Sequence, residues 1–185
     1  LPHNDTLSAL INSEPPSLDW IRSSDTDSSW IEDHVMEGLI RFDLTSEVPK
    51  LLPGLATHWQ ALDKGRRWVF HLRKNVRWTD GQALLPQHFL DGLETLLNPA
   101  NGAIAADFAF PIKNAKEYNQ GQLKDFSQVG IKALGPFKIQ FTLNQPMAFF
   151  PMLLTHHTLF PFRKDVALAH GAQWTEPENM VTLGP

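Results

Sequence analysis

With 185 residues, 42% of them hydrophobic and 19% charged, the chain is long enough to bury a sizeable core and fits one domain by length alone. A formal charge of -4 argues against a general nucleic-acid binder, since phosphate attraction needs a basic surface. Cysteine is absent, which excludes disulfides and thiolate chemistry, and no apolar run approaches the roughly 20 residues needed to cross a bilayer.

The opening, Leu1-Pro2-His3-Asn4-Asp5, has neither an initiator methionine nor a signal peptide and reads as a processed or trimmed end. Leu7, Ala9 and Ile11 alternate as in a short strand, which Glu14-Pro15-Pro16 stops because proline cannot donate to a ladder. A polar stretch from Arg22 to Ser28 follows. Ser29 with Glu32 three residues on has capping-box spacing, so a helix is expected through Ile31, Val35 and Met36, with Gly38 at its C-terminal end.

Leu39 to Phe42 reads as a strand, and Pro53 to Trp59 as a turn with another short segment. The stretch "RRWVFHLRKNVRWTDGQ", residues 66–82, interleaves aromatic and basic side chains, as a groove for single-stranded nucleic acid would. Trp68, Phe70 and Leu72 nevertheless share one face of a period-two strand, which predicts burial. Arg66, Arg67, Arg73, Lys74 and Arg77 then form a solvated rim. Asp80-Gly81 marks a turn.

Pro86 suits a first helical position, and Phe89, Leu93, Leu96 and Leu97 recur at helical spacing until Asn98-Pro99. Two strands, Val129 to Leu134 and Phe137 to Leu143, flank Gly135-Pro136, with Phe137, Ile139, Phe141 and Leu143 on one face. From Pro146 an apolar helix is expected through Phe149, Phe150, Leu153 and Leu154, ending near His156. The fold class is α+β, antiparallel hairpins with packed helices.

Chemistry is harder to find. Eight histidines show no metal-ligand spacing, and His156-His157, as helix neighbours, would not face one another. No nucleophile elbow, phosphate loop or dinucleotide fingerprint occurs. Asp19 reads as a cap or backbone acceptor and Asp80 as a turn residue. Neither an enzyme nor a cofactor is implied, and that silence favours a binding module.

Seven segments together resemble the extracytoplasmic solute-binding proteins of peptide ABC transporters, the oligopeptide-binding proteins above all. In order they are "EPPSLDW", "EGLIRFD", "PGLATHW", "WVFHLRKNVRWTDGQ", "LLNP", "VGIKALGPFKIQFTLNQPMAFF" and "GAQWTEPENMVTLGP". The resemblance implies a two-lobed periplasmic-binding-protein-like fold. Residues 1–39 would supply a strand and helix of the first lobe, 40–163 an inserted α+β subdomain, and 164–185 the start of the return. The rest, including the C-terminal lobe, would be missing, so the fragment alone should bind poorly.

The implied partners are an oligopeptide ligand and an ABC transporter permease, outside the cytoplasm in the periplasm or on a lipid anchor. Ser24, Asp25 and Thr26 match the segment that pairs with the peptide backbone, and His156 matches a histidine near the ligand. Residue by residue, Ser24 to Thr26 also read as an exposed polar loop, and His156 as a helix-end histidine favoured by the dipole. Two departures stand out. Ala105 and Phe108 replace a ligand-facing tyrosine, and Leu85 replaces a threonine N-cap worth about 1 kcal/mol. Relatives of the architecture take murein peptides, metal chelates, haem or sugars, and a ligand-sensing domain of a transcriptional regulator is a further alternative.

Overall fold

The computed structural model describes residues 10, 11, 13–45 and 47–184. Most of the strand expected through Leu7 and Ala9 lies outside the described residues. The first helix, α1, spans Thr26–Val35 and begins before the expected Ser29. Asp25 is its N-cap and accepts from the Ser28 backbone N–H. Ser29 sits inside the first turn, its hydroxyl donating to the Asp25 and Thr26 carbonyls. Local spacing favours Ser29, but Asp25 takes the Ser28 N–H on one carboxylate oxygen and the Ser28 hydroxyl on the other, so the helix starts a turn earlier.

Gly38 is not the helix's C-terminal residue either, since Met36 already has extended backbone. Gly38 is required by packing: a Cβ there would lie 2.6 Å from the Phe160 ring. Beyond it β1 (Ile40–Asp43) pairs with β2 (Lys50–Pro53) in an antiparallel hairpin whose second strand the sequence pattern did not reveal.

The main sheet has four antiparallel strands in the order β3-β4-β6-β5, with β3 Ala56–Leu62, β4 Arg67–Leu72, β5 Ile131–Ala133 and β6 Lys138–Thr142. Trp68 pairs with Phe141 and Phe70 with Ile139, so these four side chains share one face. All four are buried, Phe70 and Ile139 completely. Trp68 and Phe70 are therefore core and unavailable for stacking on bases. Val69, on the opposite face, is also buried, because β4 is central. Arg66, Arg73, Lys74 and Arg77 are exposed as expected, while Arg67 is half-buried and paired with Asp63. On β6, Ile139, Phe141 and Leu143 are buried but Phe137 lies at the strand's open end beneath Lys74.

Helix α2 runs over Pro86–Leu97 as its periodicity predicts, burying Phe89, Leu93, Leu96 and Leu97. It packs beside β5, the short α3 (Ala115–Asn119), the turn at 157–159 and α5 (Lys164–His170). The expected apolar helix after Pro146 shrinks to the single turn α4, Phe150–Leu153. Phe150 turns into the core against Trp68 and Phe141, and Phe149 faces solvent. One continuous apolar cluster links Trp20, Ile21 and Leu39 with the sheet and α2.

Candidate functional site

The N-terminus of α1 holds three of the residues singled out above. Ser24 and Thr26 are exposed and Asp25 is half-buried. Asp25 has extended backbone, and its carboxylate accepts from the Ser28 N–H at 2.8 Å and the Ser28 hydroxyl at 2.7 Å. Those bonds hold the Asp25 carboxyl below its ordinary range. Upstream, Asp19 accepts from the Ile21 N–H at 3.1 Å, and its own carbonyl takes the Arg22 and Ser23 N–H groups. This is the backbone role expected of it.

The fourth, His156, sits far along the chain. It is not on a long helix but on extended backbone, where its ring nitrogen accepts from Thr158 as the cap of the one-turn helix His157–Leu159. The dipole explanation for this histidine therefore fails, since α4 is a single turn that ends at Leu153. The His156 ring stacks on Phe108, centroids 4.0 Å apart. Burial, with His157 adding repulsion, lowers its pKa to about 4, so the ring is neutral at physiological pH. His157 lies 4.3 Å away, centroid to centroid. The two histidines do face one another, because the irregular backbone lacks the angular step of a helix.

A buried polar cluster joins these two segments. Ser23 donates its hydroxyl to the Glu32 carboxylate at 2.8 Å, and the His157 ring is bonded to the Ser23 backbone. His157 Nε2 stands 3.8 Å from Glu32 Oε2. Glu32 is fully buried on the inner face of α1, and His157 nearly so. Burial, with a smaller push from Asp19, Asp25 and Asp33, raises Glu32 to about 7. Burial lowers His157. Ser23 and His157 are the immediate chain neighbours of Ser24 and His156, so the cluster pins the exposed Ser24 and the half-buried His156 in place. Sequence reasoning missed all three. Spacing from Ser29 suggests Glu32 as a capping-box partner, and only the tertiary contact shows that it points inward.

A cavity of about 500 Å³ is lined by Asp19, Arg22, Glu94, Lys164 and Trp174 among others. Its charges are paired, Arg22 with Asp19 at 3.6 Å and Lys164 with Glu94 at 2.7 Å. Among the described residues no group of three or more His, Asp or Glu could hold a metal ion, and no helix is long and apolar enough to cross a membrane.

Comparison with known proteins places the chain in a family. Residues 50–185 match the family of bacterial extracellular solute-binding proteins, family 5 middle region. The probable deoxycholate-binding periplasmic protein YgiS of Escherichia coli K12 is 33% identical over 94% of the chain and 32% of its own length. The periplasmic oligopeptide-binding protein OppA of the same organism is 31% identical over 100% of the chain and 33% of its own. The substrate-binding domain of an oligopeptide ABC transporter from Bacillus anthracis superposes with a TM-score of 0.89 at 30% identity, covering 96% of this chain and 34% of that one. The chain thus spans about a third of the curated relatives it matches.

Proposed function

We propose, from the premise that the chain belongs to the bacterial extracellular solute-binding proteins of family 5, that it takes part in capturing oligopeptides outside the cytoplasm for an ABC transporter permease. Capture is reversible, with no bond made or broken. Ser24 and the extended Asp25, just before α1 begins at Thr26, offer backbone to an extended peptide, a sequence-tolerant mode because main chain does the bonding. His156, backed by Phe108, would add a neutral polar ring from the neighbouring segment. In this reading residues 40–163 form the inserted subdomain between two stretches of the first lobe, and a second lobe closes over the ligand.

The observation that carries the reading is the Ser23–Glu32–His157 cluster, which brings residues 24–26 and 156 together from opposite ends of the chain. The extended Asp25 backbone and the exposure of Ser24 suit pairing with a strand. Calorimetry on the protein at its native length, with trialanine and a mixed tripeptide library, tests the reading. Binding at micromolar concentrations that weakens on Ser24→Pro is the expected result, since proline removes a backbone donor. Flat titrations across the library would overturn the peptide assignment.

A second reading, an amphipathic steroid acid as solute, is favoured by the 33% identity to a relative named for deoxycholate. Deoxycholate in the same calorimeter separates the two.

A further inference from the structure

Two buried polar atoms in the cluster have no hydrogen-bond partner: Glu32 Oε1 and His157 Nε2. Such atoms inside a protein are uncommon and call for an explanation. Here they belong to an acid and a base whose nearest nitrogen and oxygen are 3.8 Å apart. The His157 ring bonds the Ser23 carbonyl. Since Nε2 has no partner, that bond falls to Nδ1, which carries the proton and leaves the Nε2 lone pair 3.8 Å from Glu32 Oε2.

The pair therefore has two distinct states. With one proton between them, Glu32 and His157 can hydrogen-bond, either as acid and imidazole or as carboxylate and imidazolium. With none, a buried carboxylate held only by the Ser23 hydroxyl faces a lone pair with no proton between them. The groups around the pair reinforce this. Asp19 and Asp25 approach from the loop and N-cap, Asp33 and His34 from α1 itself, and His156 from beside His157, with Asp107 beyond it. The surrounding carboxylates all favour retention of a proton on the pair.

We propose that Ser23, Glu32 and His157 are positioning residues that hold the two ligand-facing segments against each other through a proton shared by Glu32 and His157, so that solute capture is linked to proton uptake. The inference rests on residues 24–26 and 156 facing the ligand. Ser23 is one residue from the first segment and His157 one residue from the second, so loosening the pair releases both together. With Glu32 at about 7, the protonated, competent fraction falls from about nine-tenths at pH 6 to about one-tenth at pH 8. Apparent affinity should fall about tenfold over that interval.

The test has two arms. In the first, without ligand, the backbone amides of Ser24 and Asp25 and the ring signals of His156 and His157 are followed by NMR from pH 5 to 9. Expected is one common midpoint near 7 in the native protein, abolished in Glu32→Gln. Glutamine keeps the shape and the bond from Ser23 but cannot titrate. Absence of a shared midpoint in the native protein would overturn the proposal, whatever the variant does. In the second arm, trialanine affinity is measured at pH 6 and pH 8. A tenfold loss in the native protein and a flat response in Glu32→Gln are expected, and equal losses in both would also overturn it. Failure of trialanine to bind at any pH would sink the peptide reading, while the first arm still decides the shared proton.

Discussion

Glu32 and Arg163 are both buried ionisable side chains, yet the structure treats them in opposite ways. The Arg163 guanidinium has a full set of partners: it donates to Asp165 through Nε and Nη2 and to Asp80 through Nη1 at 2.8 Å, and lies over the Trp78 ring. The hydrogen bond from Arg163 holds the Asp165 carboxyl below its usual range. Because its folded pKa is depressed, its contribution is present above the unfolded value near 3.8 and is lost as pH falls through the folded one. Replacing Arg163 with methionine should cost about 2 kcal/mol at pH 7, read as a lower urea midpoint, and should flatten the acid limb of the stability profile.

For Glu32 the sign reverses. Its folded pKa is raised from 4.5 to about 7 by burial, so stability present below 4.5 is lost as pH rises through 7. The advantage of Glu32→Gln over the native protein should therefore grow between pH 4.5 and 7 and level off above. His157, lowered by burial, contributes with the opposite sign and titrates together with Glu32, so the comparison reads the pair rather than the carboxyl alone. Thermal midpoints of the two at pH 5, 6, 7 and 8 check the difference, and a constant gap would show that the carboxylate is not desolvated.

At the scale of elements, α2 and β4 show how local signals and packing share the work. Leu85 supplies no side-chain cap to α2, as its identity predicts. Yet the Leu85 N–H is accepted by His88 Nδ1 at 3.2 Å, which also accepts from the Trp78 indole at 3.0 Å. His88 therefore replaces half of a capping box, and burial, aided by the Arg163 charge, keeps it neutral for the task. Leu85→Thr should still stabilise by up to about 1 kcal/mol, since Leu85 is exposed and its loss leaves no cavity. In β4, Phe70 is fully buried, stacked near Trp59 and edge-on to Phe141. Truncation to alanine should cost about 3–5 kcal/mol by denaturant titration. Gly38→Ala should cost about 1–3 kcal/mol, because the Phe160 ring it would strike is itself buried.

The elements that sequence read well are those with a long, one-sided pattern: α2, β4 and β6. Those it misjudged are short or lie at junctions. The helix placed from Pro146 onward is one turn because Phe149 and Phe150 diverge, one to solvent and one to the core. The start of α1 lies earlier because all five residues from Asp25 to Ser29 are of capping type, and the packing of Ser23 against Glu32 fixes which one is used.

For the whole molecule, the chain follows about a third of its relatives' length while holding a continuous core of its own. A ligand between two lobes gains from desolvation on both sides. Peptide affinity should therefore be at least tenfold weaker for residues 1–185 alone than for a chain carrying both lobes, as calorimetry with trialanine would show.

The sequence by itself determined the α+β class, the burial of Trp68 and Phe70 and the likeness to solute-binding proteins, because alternation, helical period and ordered motifs are properties of neighbours along a chain. Only the tertiary structure decided that Asp25 caps α1, that His156 stacks on Phe108, and that Glu32 meets His157 in a dry interior. Those facts depend on which residues lose water together. No local pattern records that, since Ser23, Glu32 and His157 become neighbours only when α1 closes on the turn at 157–159.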